Sequence, residues 1–163
     1  MKALPVVLSI VLVASVAVAQ DAPLTQNEAD ISIKKAYTHL KQVLDLPASK
    51  FTVSLVKNPL SRDQYVGRLY AMYEYIKPKV QPRVRPVAVD TKGMTPGLTA
   101  EHIKQLKTLV AYGLVAKDSL LVSSPRTKYT PKEFGKILGN FLTRSMEITH
   151  VLDPKYSPEL MPN

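Results

Sequence analysis

The chain has no cysteine and no tryptophan among its 163 residues. Without cysteine there is no disulfide, no thiol nucleophile and no thiolate metal site. The six glycines are scattered. They form no glycine-rich phosphate loop, and neither a nucleophile elbow nor a zinc-protease pattern occurs. His39, His102 and His150 are dispersed, with no pair at metal-ligand spacing. Asp90, Glu101 and Asp118 are far apart in the chain, so they could act as acid and base only if the fold gathered them. These absences point to a non-enzymatic protein with no cofactor and no metal. Long apolar runs are also missing after residue 19, so no later stretch could span a bilayer core of about 30 Å.

What is present begins at the N-terminus. Lys2 is followed by an almost wholly apolar run from Leu4 to Ala19, ending in Ala17-Val18-Ala19. A positive start, an apolar core and a small-x-small ending describe a secretory signal peptide over residues 1–19. Cleavage there removes Lys2 and lowers the formal net charge from +9 to +8. A basic exported domain suits acidic partners such as cell-wall polymers, lipid headgroups or acidic proteins. Export argues against nucleic acid. An exported chain with no disulfide must be held by its apolar core, and 45% of the sequence is hydrophobic.

The rest reads as mainly α. Residues 20–30 form a polar lead-in, in which Thr25 or Asn27 could cap the first helix. From Ile31, the residues Ile33, Ala36, Tyr37, Leu40, Val43 and Leu44 lie on one helical stripe, which Pro47 ends. Phe51 to Val56 alternates as a short extended piece. Ser61-Arg62-Asp63-Gln64 is a capping box. Tyr65, Leu69, Met72, Tyr73 and Ile76 come after it at helical spacing. Residues 77–98 hold Pro78, Pro82, Pro86 and Pro96 among basic residues. They read as an extended connector, seated by Val84, Val87 and Val89. Thr99 caps a helix carrying Ile103, Leu106, Leu109 and Val110, and Gly113 suits its left-handed C-terminal cap. Thr130-Pro131-Lys132-Glu133 opens the clearest helix, with Phe134, Ile137, Leu138, Phe141, Leu142 and Ser145 on one face. Residues 150–163 form a proline-containing tail.

The two halves share a grammar. Ser61 aligns with Thr130 at an offset of 69, bringing Tyr65 onto Phe134 and Leu69 onto Leu138. Upstream, Leu40 aligns with Leu106 at an offset of 66. Residues 31–76 and 99–149 thus read as two helix–loop–helix repeats, neither able to bury its apolar stripes alone. Packed together they give a small helical bundle with short extended segments.

Leu106…Gly113-Leu114-Val115 and then Thr130-Pro131-Lys132-Glu133-Phe134, with Ser61-Arg62-Asp63-Gln64-Tyr65 as the weaker copy, resembles the S-layer homology domain of bacterial envelope proteins. That family repeats a helix, a glycine-ended turn, a loop and a Thr-Arg-Ala-Glu-like motif that opens a second helix. The resemblance implies anchoring through negatively charged cell-wall glycan, bound by the motif arginine and polar neighbours. Arg62 stands at the arginine position, whereas Pro131 replaces it in the other copy. The family's tryptophan-containing signature is absent, and two repeats are visible where three are usual.

The expected ligand-binding set is Ser61, Arg62, Arg126, Lys128, Thr130 and Lys132. These residues lie at or just before two helix starts, where anions are favoured. Tyr65, Tyr70, Tyr73 and Tyr75 could line a sugar-binding face or pack in the core. The sequence-level expectation is an exported, periplasmic or cell-surface protein that binds anionic cell-wall polymer. The alternative is a small periplasmic interaction subunit of a larger envelope complex. DNA binding by a helix-turn-helix over residues 98–115 is a third reading, which export would remove. Monomer and oligomer are both left open.

Overall fold

The structure is a computed structural model that describes residues 22–94, 97–124 and 128–149. Residues 1–19, where a signal peptide is expected, Pro96, Arg126, His150 and the tail lie outside the described residues. The rest is mainly helical: α1 (Gln26–Leu44), α2 (Arg62–Ile76), α3 (Ala100–Ala111), the single-turn α4 (Leu120–Ser123) and α5 (Pro131–Thr149). No strand occurs among the described residues. The 51–56 stretch is non-helical and joins no ladder, and the sole isolated bridge among the described residues pairs Thr25 with Pro59.

Local chemistry sets most boundaries. The Ser61 and Thr130 boxes both form. Ser61 accepts from the Gln64 N–H at 3.2 Å, and the Gln64 side chain accepts from the Ser61 N–H at 3.0 Å. Thr130 accepts from the Glu133 N–H at 3.3 Å, and the Glu133 carboxylate accepts from the Thr130 N–H at 2.9 Å. Gly113 has φ +70°, and α3 ends in a Schellman turn: the Leu114 N–H reaches the Leu109 carbonyl and the Gly113 N–H reaches the Val110 carbonyl, both at 2.9 Å.

The lead-in is shorter than its polarity indicates. Helix α1 starts at Gln26, not Ile31, because Thr25 and Glu28 make a third capping box. Leu24, just before it, is buried. Val43, placed on the apolar stripe by its spacing, is 40% exposed. The helix is closing there, and Asp45 lies beyond it in the left-handed region at φ 50°.

Helices α1, α2, α3 and α5 all run in the same direction. At one end the Leu60 N–H donates to the Leu24 carbonyl at 2.8 Å and the Leu24 N–H to the Tyr129 carbonyl at 2.7 Å, which gathers the starts of α1, α2 and α5. The Thr99 N–H donates to Asp63 Oδ1 at 3.1 Å and brings the start of α3 to the start of α2. Toward the other end the Tyr37 and Tyr75 rings lie 5.0 Å apart and Tyr73 and Tyr112 5.6 Å apart. Neighbours joined by tight turns would be antiparallel. Here each connection instead travels the length of the bundle.

Residues 77–98 make one such return. After a 3-10 turn at Lys77–Lys79, the Gln81 N–H donates to the Ile148 carbonyl and the Gln81 side chain to the Thr149 carbonyl. The Val87 N–H donates to the Ala111 carbonyl at 2.9 Å. Val84 and Val89 pack on the core and Met94 is buried in it, while Val87 is 55% exposed. One core joins all four long helices, with Leu40 and Leu106 fully buried in it. Among the described residues no helix is long and apolar enough to cross a membrane.

Candidate functional site

Parallel helices stack their macrodipoles with the same sign together, so positive partial charge collects where they start. Each long helix carries an acidic residue in its first turn: Glu28, Asp63, Glu101 and Glu133. Glu28 and Glu133 are engaged in their own capping boxes. Asp63 Oδ1 accepts from the Thr99 N–H and lies 2.6 Å from His102 Nδ1.

Three of these starts are built alike. Thr25, Ser61 and Thr130 are N-caps with Glu28, Gln64 and Glu133 at the third helical position. The residues before the caps, Leu24, Leu60 and Tyr129, are buried and joined by the Leu60–Leu24 and Leu24–Tyr129 backbone hydrogen bonds. The residues at the fourth position, Ala29, Tyr65 and Phe134, are buried too. Pairing an apolar residue before the cap with one at the fourth position fixes the angle at which a chain enters its helix. Repeated three times, it ties three chain entries into one knot. Its centre is aromatic, with Tyr65 stacked on Phe134 at 4.6 Å and edge-on to Tyr129 at 5.5 Å.

The expected ligand residues divide on this frame. Ser61 and Thr130 are half-buried, with their oxygens engaged as caps. Lys128 and Lys132 are exposed on either side of the α5 start. Arg126 lies outside the described residues. Arg62 is a correction. It is 1% exposed, and its guanidinium donates from Nε to the Leu121 carbonyl at 2.9 Å and from Nη2 to the Val122 carbonyl at 3.1 Å. It closes the short α4 turn onto α2 and is not presented to solvent. Burial lowers its pKa, against an opposing effect of Tyr129. Its charge persists, because guanidinium starts from so high a value.

The tyrosines divide as well. Tyr65 and Tyr73 are core residues, and Tyr70 and Tyr75 sit half-buried at its rim. Burial raises the Tyr65 hydroxyl well above its usual pKa. Tyr73 is raised by burial and then by its hydrogen bond with Tyr112.

Two contacts with no signal in the sequence hold this end together. Arg68 Nε meets Asp30 Oδ1 at 2.5 Å, while Asp30 Oδ2 accepts from the Ser54 N–H at 3.0 Å, so one carboxylate joins α1, α2 and the 51–57 segment. His102 joins α3 to α2, with Nδ1 near both Asp63 and Thr99 Oγ1 and with Nε2 against Gly67. The imidazole thereby tethers the start of α3 to α2. Glu101 is in the first turn of α3, whereas Asp90 and Asp118 lie in connecting segments. No cluster of three or more metal-ligating side chains occurs among the described residues. Thr25 is one of two candidate caps in the sequence; its Glu28 partner, legible as Thr-x-x-Glu, settles the choice and sets the start at Gln26.

No protein-family model, curated protein or solved structure matches this chain.

Proposed function

We propose that this is an exported, non-enzymatic envelope protein that holds anionic cell-wall polymer, in the manner of an S-layer homology module, at the end where its long helices start. The observation that carries the reading is the meeting of three alike capped starts, at Thr25, Ser61 and Thr130, at one end of a parallel bundle. Two of these starts, at Ser61 and Thr130, are the motif positions of the resemblance; the third, at Thr25, opens the first helix of the first repeat. Lys128 and Lys132 supply exposed cations beside this end. Pyruvyl or phosphate groups on a glycan are the anions they would meet. Arg62 has a different part from the motif arginine of the family: it ties the α4 turn to α2.

The sequence feature that favours export is the signal-like stretch over residues 1–19. The test is an NMR titration of the mature protein with polymer released from cell walls. Amide shifts should concentrate around Lys128 and Lys132, and polymer stripped of its acidic groups should produce none. Shifts confined to another face, or unchanged by removal of those groups, would reject the reading. A second reading, a periplasmic interaction subunit, is favoured by the exposed apolar residues near Leu55.

A further inference from the structure

Residues 51–57 run back along the first half of α1 with the two edges of their backbone treated differently. On the inner edge, Ser54 is fully engaged: its N–H donates to Asp30, and its carbonyl accepts from the Asn27 side chain at 2.6 Å. The Val56 carbonyl accepts from the Asn27 N–H at 3.1 Å. The N–H and C=O groups of Val53 and Leu55 have no partner among the described residues. In a non-helical chain whose alternate residues bond inward, those between present their polar groups outward, as an edge strand does.

The same place is apolar and cationic. A shallow groove is lined by Ile31, Lys34, Lys35, Thr38 and Val53. Its α1 residues form an i, i+3, i+4, i+7 face that is exposed among the described residues. Leu55 is 88% exposed at its rim, the most exposed of the large hydrophobic side chains among the described residues. Lys34 and Lys35 line the groove, and Lys50 and Lys57 flank the 51–56 stretch in the chain; all four are exposed. The acids in this half of α1 are already engaged, Glu28 in its cap and Asp30 by Arg68 and Ser54.

We propose that this edge accepts an acidic, extended segment of a partner protein by strand addition. The partner backbone pairs with Val53 and Leu55, its apolar side chains meet Ile31 and Val53, and its carboxylates meet Lys34 and Lys35. Charge selects this occupant. A second copy of the chain would bring lysine against lysine. A bilayer would engage the protruding Leu55 but would leave the groove unfilled. Lys128 and Lys132 do not line the groove, and the readout through Leu55 and the partner backbone is distinct from that of polymer binding.

The test is fluorescence anisotropy at low salt with a short labelled peptide alternating glutamate and valine. A lysine–valine analogue and a glutamate–valine peptide N-methylated at alternate amides serve as controls. The acidic peptide is expected to bind saturably, and both controls are expected to fail. Leu55→Pro removes an edge N–H and should weaken binding by about tenfold or more, equivalent to about 1.4 kcal/mol. The double variant Lys34→Glu/Lys35→Glu should prefer the lysine peptide. Circular dichroism checks that both variants remain folded, as expected for residues on this open face. The proposal is overturned by absence of saturable binding, by equal binding of the N-methylated peptide, or by indifference to Leu55→Pro. It is likewise overturned if the Leu55-dependent partner proves to be anionic phospholipid vesicles or a second copy of the chain.

Discussion

Tyr65 and Phe134, separated by 69 residues, stack ring on ring at 4.6 Å, and the Tyr65 hydroxyl donates to the Phe134 carbonyl at 2.8 Å. Each is the fourth residue of a capped helix, so two positions alike in sequence touch each other. Tyr65→Phe keeps the stack and loses the hydrogen bond. It should cost about 0.5–1.5 kcal/mol in urea denaturation. Phe134→Ala opens the knot and should cost about 3–5 kcal/mol. The double variant should cost less than the sum of the two single changes, because each removes part of one contact.

The tyrosine hydroxyls give a pH dependence. Burial is the main cause of raised pKa at Tyr37, Tyr65, Tyr70 and Tyr73. In the unfolded chain these groups ionise near pH 10. Above that pH the unfolded state has lost protons that the folded state retains, so stability falls as pH rises. The contribution is fully present below about pH 10 and is lost as pH rises through the raised folded values. Urea midpoints measured across alkaline pH should decline, and Tyr65→Phe should flatten the decline. A midpoint constant through this range would contradict the burial of these hydroxyls.

The glycines divide by what a methyl group would meet. Gly135 and Gly139 on α5 have open space around them, so Ala at either should stabilise by about 0.5–1 kcal/mol. Gly67 is also helical, but a Cβ there would lie 3.0 Å from His102 Nε2, on a ring held by Asp63 and Thr99. Gly67→Ala should therefore destabilise or show no gain. Gly113→Ala should lose about 1 kcal/mol or more, since φ +70° is strained for Ala and the new methyl would crowd Arg144. Thermal denaturation of the four variants would check the order.

Arg62→Ala leaves the Leu121 and Val122 carbonyls without these buried donors, at about 1–3 kcal/mol of stability. Arg62→Lys should not restore it, because one ammonium group cannot reproduce the fixed fork that spans two carbonyls. Any loss of polymer binding in these variants should track the unfolded fraction. Lys128→Ala/Lys132→Ala should instead weaken polymer binding and reduce its salt dependence while leaving stability within about 0.5 kcal/mol.

The helices are legible wherever capping chemistry and apolar spacing agree. The Ser61 and Thr130 boxes and the Gly113 turn can be read directly, since each rests on residues within a few positions of one another. The Thr25 box is equally local. Its polar surroundings disguise it as a loose lead-in, although Leu24 and Ala29 on its two sides are buried. Other features are not encoded locally. The shared direction of the four long helices depends on return segments such as 77–98, whose course is fixed by bonds from Gln81 and Val87 to distant helix ends. An arginine at the first position of a helix ordinarily faces water. The burial of Arg62 comes from carbonyls 59 and 60 residues away, which no spacing rule reaches. The Asp63–His102 and Asp30–Arg68 tethers are likewise products of packing.

The most direct measurement is co-sedimentation of the mature protein with purified cell-wall sacculi, before and after removal of their acidic secondary polymer, for the wild type and for Lys128→Ala/Lys132→Ala. The account predicts that the wild type pellets only with polymer-bearing sacculi, and that the double variant stays largely in the supernatant although folded. Equal pelleting with stripped sacculi, or none with either, would contradict it.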